Sequence, residues 1–203
     1  MRKIFVTGIG TDVGKTIASA IITEALQADY WKPIQAGLYP LTDKEKVKSL
    51  ISNKISVFHP ESYLLKEPMS PHAAAEMEGV TIDINTIIVP TTKNTLIIEG
   101  AGGIMVPINN HSFVLDLIEK LNAEVVLVVQ NYLGCINHSL LTINALKQKG
   151  IKITGLIFNG APHPSSHEII LTYSQLPCIA RIEKESRVDQ KMILKYAPYF
   201  KNI

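Results

Sequence analysis

The sequence has little cysteine and no excess of charge. Its two cysteines, Cys135 and Cys178, show no Cys-x-x-Cys spacing, so neither a disulfide framework nor a zinc knuckle is indicated and a reducing compartment is expected. The formal net charge is only +2, and the densest basic stretch, Lys44 to Lys48, is interrupted by Glu45 and Val47. Such scattered charge is typical of a solvated helix surface. A nucleic-acid partner is therefore not expected.

Long apolar runs are also absent. After Arg2 and Lys3 the apolar stretch lasts only from Ile4 to Val6, which is too short for a secretory signal. The most apolar internal run, Val125 to Val129, has the length of a buried strand, whereas a membrane span needs about 20 residues. We expect a soluble, cytoplasmic protein without a membrane partner, and the 203 residues predict one domain over residues 1–203.

Short β-branched runs alternate with helical patterns along the chain. This alternation predicts an α/β fold with a mostly parallel central sheet and helices on both faces. The predicted strands are Lys3 to Thr7, Tyr30 to Ile34, Thr95 to Glu99, Glu124 to Gln130 and Ile151 to Asn159. The predicted helices are Lys15 to Ala28, Asp43 to Ser52, Pro71 to Glu78, Phe113 to Leu121, Asn137 to Lys149 and Ser166 to Ser174. The proline-divided stretch from Val57 to Val89 is predicted to lie beside the sheet.

A glycine-rich segment joins the first predicted strand to the first predicted helix. It reads Gly8-Ile9-Gly10-Thr11-Asp12-Val13-Gly14-Lys15-Thr16. The standard phosphate-binding loop has four residues between its first glycine and the Gly-Lys pair, whereas here Gly8 is followed by five and Gly10 by three. A Lys-Thr pair directly after Gly14 still predicts a P-loop, in which backbone N–H groups and Lys15 hold the phosphates of ATP and the Thr16 hydroxyl binds Mg²⁺.

A carboxylate follows another apolar strand. The predicted strand from Thr95 ends in Glu99, and the sequence continues Gly100-Ala101-Gly102-Gly103. Because ligands of parallel sheets collect at the carboxyl ends of the strands, Glu99 is expected to lie near the phosphate loop, where it can bind Mg²⁺. The glycines allow the backbone to approach a substrate closely.

Together with three further blocks, these motifs resemble the dethiobiotin synthetase family. The blocks are Trp31-Lys32-Pro33-Ile34-Gln35-Ala36-Gly37, Ser70-Pro71-His72 and Leu133-Gly134-Cys135-Ile136-Asn137-His138. The resemblance extends from Gly8 to Asn159. It implies a ligase in which an amine of diaminononanoate captures CO₂ as a carbamate, the carbamate attacks the γ-phosphate of ATP, and the second amine closes a cyclic urea.

The resemblance also implies roles for individual residues. Thr11 and Lys32 would hold the carbamate, and with Lys15 they form the expected catalytic group. The expected ATP contacts are Asp12, Val13, Gly14, Lys15, Thr16, Ile17, Glu99, Gly100, Ala101, Gly102 and Asn159. Thr16 and Glu99 would bind Mg²⁺, and Asp43 is either a further metal ligand or an N-terminal cap or dipole partner of the helix that it begins. The charges are chemically sensible, because lysines and a metal ion offset the repulsion between an anionic carbamate and a triphosphate.

The third block bears on assembly. By resemblance the chain is a homodimer in which Gly134, Cys135 and Asn137 of one subunit bind the substrate carboxylate in the site of the other. Backbone N–H groups at a helix start suit a carboxylate. The alternative is that Asn137 caps its own helix.

Two positions depart from the family pattern. Ala36 stands where the family usually has Ser or Thr, and a family proline near the base-binding loop is replaced around Ile182-Glu183. The preference between ATP and GTP therefore stays open.

The alternative function is of a different class, the partition-type P-loop ATPase that binds DNA or membrane. That class has an additional lysine five residues before the conserved one, where this chain has Gly10. The segment from Lys191 to Ile203 is also too short and proline-interrupted for a membrane-targeting helix.

Overall fold

The computed structural model describes all residues from 1 to 203, and its centre is a sheet of six parallel strands. The order across the sheet is β2-β5-β1-β6-β7-β8. The strands are β1 (Lys3–Gly8), β2 (Asp29–Trp31), β5 (Leu96–Gly103), β6 (Glu124–Gln130), β7 (Ile153–Asn159) and β8 (Cys178–Ile182). Two short strands, β3 (Ile34–Ala36) and β4 (Tyr63–Leu65), pair in a separate parallel ribbon.

Seven α-helices accompany the sheet. They are α1 (Lys15–Leu26), α2 (Asp43–Leu50), α3 (Pro71–Met77), α4 (Val114–Leu121), α5 (Cys135–Gln148), α6 (Pro164–Ser174) and α7 (Gln190–Tyr196). Short 3₁₀ helices span Ile84–Thr86 and Ala197–Phe200. None of the helices combines the length and the apolar character needed to cross a lipid bilayer.

The core is formed by the central strands and the helices that cover both faces. In β6 every residue from Val125 to Val129 is fully buried, as expected of a parallel strand with helices on both sides. Strand β1 lies between β5 and β6, so its carboxyl end opens at the middle of the sheet. The phosphate loop that follows β1 therefore occupies the edge where parallel sheets bind ligands. The predicted fold class is confirmed.

One strand that was predicted to be continuous is two separate strands in the structure. The run from Tyr30 to Ile34 is divided into β2 and β3, which belong to different sheets. Pro33 causes the break, because it has no N–H for a ladder and its own carbonyl accepts hydrogen bonds from Ser62 and Tyr63. The break leaves Lys32 at the end of β2, facing the carboxyl edge of the main sheet.

Strand β8 and helix α7 were missed by the sequence analysis. β8 is an edge strand in which only Ala180 and Ile182 are buried, so its apolar pattern is weak. Helix α7 has only seven residues and is capped by Asp189, whose side chain accepts a hydrogen bond from the Met192 N–H. Helix α5 also begins two residues earlier than predicted, at Cys135.

Candidate active site

A cleft of about 700 Å³ lies at the carboxyl edge of β1, β2 and β5. It is lined by the phosphate loop, the ends of β2 and β5, the start of α2 and the segment before α3. The predicted site residues in its wall are Thr11, Asp12, Gly14, Lys15, Thr16, Ile17, Lys32, Asp43, Glu99, Ala101 and Gly102. Residues up to 91 positions apart in the chain, from Thr11 to Gly102, are thus gathered into one cavity.

A glycine and an asparagine fix the conformation of the phosphate loop. Gly14 has φ of +99°, and a Cβ atom added there would lie 2.3 Å from the Asn159 side-chain nitrogen. That nitrogen, Nδ2, donates a hydrogen bond to the carbonyl of Val13 at 2.9 Å. Only glycine fits at residue 14, because any side chain would meet both backbone strain and this amide. Asn159, at the end of β7, therefore anchors the loop directly.

Lys15 lies at the base of the cleft with 7% of its surface exposed. Its Nζ donates to the carbonyl of Gly10 at 2.8 Å, which folds the side chain back along the loop. Burial lowers the pKa of Lys15 to about 8, although the Glu99 carboxylate acts in the opposite direction. Burial thus outweighs the nearby carboxylates, and the phosphates of a bound triphosphate would favour the charged ammonium.

Three oxygen-bearing side chains converge beside Lys15. The Thr16 hydroxyl lies 2.8 Å from Asp43 Oδ1 and 2.8 Å from Glu99 Oε1. A hydroxyl has one proton and can donate to only one of these oxygens at a time. The cluster therefore places more acceptor atoms together than the hydroxyl can satisfy, which is the composition of a cation site.

The ammonium of Lys32 neutralises this cluster. Its Nζ contacts Asp43 Oδ2 and lies 3.3 Å from Glu99 Oε1. Burial by itself lowers the pKa of Lys32, but the carboxylates of Glu99 and Asp43 outweigh burial and raise the pKa above its usual value. Burial raises the pKa of Asp43, but the Lys32 ammonium and the hydrogen bonds from Lys32 and Thr16 together outweigh burial and lower this pKa below its usual value. Lys32 is therefore a charged lysine despite being 6% exposed.

The donor set fits Mg²⁺ held together with a nucleotide. Two carboxylates and a hydroxyl are hard oxygen ligands, and Mg²⁺ in nucleotide sites is usually bound by one or two carboxylates plus phosphate oxygens and water. No group of three or more His, Cys, Asp or Glu side chains that could hold a metal ion occurs in the molecule. The residues therefore fit a metal ion that arrives with phosphates, and they do not form a complete protein cage.

The two alternatives for Asp43 are separated by the geometry around α2. The N-cap is Thr42, whose hydroxyl accepts a hydrogen bond from the Glu45 N–H while Glu45 accepts one from the Thr42 N–H. The Asp43 N–H donates to Gln35 Oε1 at 3.1 Å, which ties the helix start to β3. The Asp43 carboxylate does not cap α2. It lies in the first turn, where a negative charge suits the helix dipole, and it contacts Thr16 and Lys32.

The remaining predicted substrate residues lie outside the cleft. Gly134, with φ of +106°, is the N-cap of α5, and no side chain caps this helix. Asn137 therefore does not cap its own helix, and that alternative was wrong. The N–H of Cys135 donates to the Tyr132 carbonyl. Contrary to the expectation, this N–H is therefore not free to bind a ligand. Tyr132, Leu133 and Ile136 at this helix start are exposed apolar side chains.

Several residues of the site were missed by the sequence analysis. Lys46, Met69, Ser70 and Val106 line the cleft. Tyr30 lies behind it and donates to Glu99 Oε2 at 2.8 Å. Lys46 follows Asp43 by three residues on α2, a helical spacing that places both on one face, and this signal was present in the sequence.

The chain resembles known proteins over almost its entire length. A family model described as an AAA domain matches residues 2–192. An ATP-dependent dethiobiotin synthetase from Christiangramia forsetii is 50% identical over 98% of this chain and 96% of that protein. A protein of the same name from Cytophaga hutchinsonii is 48% identical over 97% of this chain and 96% of its own length.

Similar solved structures agree on the architecture. The cell division ATPase MinD from Pyrococcus furiosus has a TM-score of 0.60 and 14% identity, with 99% of each chain covered. A plasmid partition protein from Borrelia burgdorferi, solved with AMPPNP, has a TM-score of 0.61 and 12% identity over 98% of this chain and 96% of its own. At such identities the likeness shows the shared fold alone.

Proposed function

Because this chain belongs to the ATP-dependent dethiobiotin synthetase family, we propose that it closes the ureido ring of dethiobiotin from 7,8-diaminononanoate, CO₂ and ATP. The protein is an ATP-binding ligase of biotin biosynthesis. The observation that carries the detailed assignment is the cleft in which the phosphate loop meets Lys32, Asp43 and Glu99. Partition and cell division ATPases share the fold at low identity, and dethiobiotin synthetases that are 50% and 48% identical over nearly the whole chain favour the ligase.

The phosphate loop and Lys15 bind the triphosphate in this proposal. Backbone N–H groups between Thr11 and Thr16 and the start of α1 attract phosphate oxygens, and Lys15 leaves the Gly10 carbonyl for the β and γ phosphates. The phosphates favour the charged form of Lys15, because they replace the solvation that burial removes. Asn159 keeps Val13 and Gly14 in place during binding.

Lys32 and Thr11 bind the carbamate that one substrate amine forms with CO₂. The carbamate oxygen attacks the γ-phosphorus and ADP leaves; the second amine then attacks the carbamate carbon and phosphate leaves. When bound with ATP, Mg²⁺ would be held by Thr16, Asp43 and Glu99 and would offset the negative charge of the γ-phosphate. The protein needs no general base in the first transfer, because the carbamate is already an anion.

The substrate carboxylate is assigned to the partner subunit of a homodimer. The first-turn N–H groups of Ile136 and Asn137 lack intrahelical carbonyl partners, and Leu133 beside them is fully exposed. An uncovered apolar surface next to an anion site is suited to contact with a second copy of the chain. Each active site would then hold the two amines with its own residues and the distant carboxylate with the partner's helix α5.

We expect Asn137→Ala to raise the KM for diaminononanoate about tenfold while kcat changes less, because the carboxylate loses the Asn137 side-chain amide and keeps only the backbone N–H groups. Asn144→Ala is the matched control, because Asn144 is exposed on the same helix two turns further on. Sedimentation at micromolar concentration measures the assembly. A monomer with full activity, or an Asn137 variant with unchanged KM, would remove the shared site.

Discrimination between ATP and GTP is expected to be weak. The Asn159 side-chain amide donates to Val13, so one of its two N–H groups is committed to the phosphate loop. The segment after β8 is held by the Tyr196 hydroxyl, which bonds to the Glu183 N–H and the Glu185 carboxylate. The ratio of kcat/KM for ATP and GTP tests this expectation. A preference of several hundredfold, or roughly 3 to 4 kcal/mol, would contradict it.

The overall proposal is tested by coupled measurement of ADP release. Release should require diaminononanoate, bicarbonate and Mg²⁺ together, and it should stop when any one is omitted. ATP hydrolysis that is independent of the diamine and stimulated by DNA or lipid vesicles would favour the partition-type alternative.

A further inference from the structure

The two oxygens of the Glu99 carboxylate have different partners, and Tyr30 contacts one of them. Its hydroxyl donates to Oε2 at 2.8 Å, whereas Oε1 faces the Thr16 hydroxyl at 2.8 Å and the Lys32 ammonium at 3.3 Å. Tyr30 has no exposed surface and Glu99 is 1% exposed. The carboxylate is therefore held from behind by a buried donor while its other oxygen faces the cleft.

The sheet register explains how Tyr30 reaches Glu99. Tyr30 pairs with Ile97 of β5, and Glu99 lies two residues further on the same face. An aromatic side chain can reach such a diagonal neighbour across adjacent strands. The contact thus follows from the pairing of β2 with β5 and does not require a distorted backbone.

The Tyr30 ring is itself fixed. It packs against Phe58 with a distance of 5.7 Å between ring centroids. The Tyr30 N–H donates to the Val57 carbonyl, and the Tyr30 carbonyl accepts from the His59 N–H, both at 2.9 Å. The hydroxyl consequently has a defined position before any ligand arrives, which is what a group that orients another side chain requires.

We propose that Tyr30 is a positioning residue for the metal: its hydroxyl orients Glu99 so that Oε1 faces Thr16 and strengthens the binding of Mg²⁺ with the nucleotide. The inference rests on the Mg-ATP site of the proposed function. Hydrogen-bond partners behind metal ligands typically change metal affinity by about 10- to 100-fold. A purely structural Tyr30 would contribute to the stability of the fold and leave metal affinity unchanged.

The test is the Mg²⁺ concentration that half-saturates binding of a non-hydrolysable ATP analogue to Tyr30→Phe, measured by calorimetry. Phenylalanine keeps the ring on Phe58 and removes only the hydroxyl. We expect the half-saturating Mg²⁺ concentration to rise about tenfold or more, and analogue binding in EDTA to stay at the parent level. The Tm without metal reports the structural contribution separately.

Tyr63→Phe is the matched control, because the Tyr63 hydroxyl contacts Thr86 and Asp83 away from the cleft. It should leave the Mg²⁺ requirement unchanged. A Tyr30→Phe protein with the parent's Mg²⁺ requirement, or a lower one, would overturn the inference and leave the proposed function standing. Nucleotide binding to the parent chain that ignores Mg²⁺ would overturn the metal assignment and the inference together. If Tyr30→Phe does not fold, the same titration is made with Tyr30→His, whose ring N–H would donate from a different position than the Tyr30 hydroxyl. The half-saturating Mg²⁺ concentration should then rise less, and no rise would overturn the inference.

Discussion

Lys15→Ala is expected to abolish formation of the ureido product while the protein remains folded. The variant lacks the ammonium that would neutralise the β and γ phosphates, and removal of such a transition-state contact costs several kcal/mol, or about a thousandfold or more in rate. Stability should not suffer, because burial disfavours this charge and lowers the Lys15 pKa to about 8. Product formation under saturating substrates is the measurement, with thermal unfolding as the check on folding.

Lys48→Ala is the control for the Lys15 variant. Lys48 is an exposed lysine on α2 and does not line the cleft, so its loss should leave turnover and Tm close to those of the parent. A well-folded Lys15→Ala protein that still makes product at the parent rate would contradict the assignment of residues 8 to 16 as the phosphate loop.

Lys32→Ala is expected to lose the ureido product and to retain nucleotide binding. The lost ammonium is the one assigned to the carbamate, whereas the phosphate loop and Lys15 remain. Equilibrium binding of ATP and product formation, measured on the same preparation, separate the two roles. If nucleotide binding fell and product formation survived, the roles of Lys15 and Lys32 would have to be exchanged.

The Lys32 variant should also respond to metal in its stability. Without Lys32, Asp43 and Glu99 lie together around the Thr16 hydroxyl, and only the more distant charges of Lys15 and Lys46 remain near them. Like charges in a buried cluster destabilise the folded state, and Mg²⁺ can take the place of the missing ammonium. Without metal, the Tm of Lys32→Ala should therefore lie below that of the parent. Addition of Mg²⁺ should raise the Tm of Lys32→Ala more than it raises the Tm of the parent. An equal response of both proteins would count against a cation site at this cluster.

The local parts of the site were predictable from the sequence. The Gly-Lys-Thr end of the loop follows a β-branched strand and opens a helix, so strand, loop and helix could each be recognised from neighbouring residues. Glu99 was found for the same reason, since it ends an apolar strand. In each case the chemical signal and the structural signal lie within about ten residues of sequence.

The parts that depend on distant pairing were not predictable in the same way. Asp43 remained undecided because Thr42 and Asp43 are both good capping residues, and only the approach of α2 to Thr16 separates their roles. Tyr30 resembled an ordinary core aromatic until the pairing of β2 with β5 placed its hydroxyl on Glu99. Strand β8 was missed because an edge strand buries too few side chains to show a clear pattern.

Incorporation of labelled CO₂ tests the central claim most directly. The protein is incubated with Mg-ATP, carbon-13-labelled bicarbonate and 7,8-diaminononanoate, and the products are identified by mass spectrometry. The proposed function predicts a ureido product that carries the label in its ring carbonyl, together with one ADP for each product molecule. ATP turnover without a labelled ureido product, from a protein that binds Mg-ATP, would contradict it.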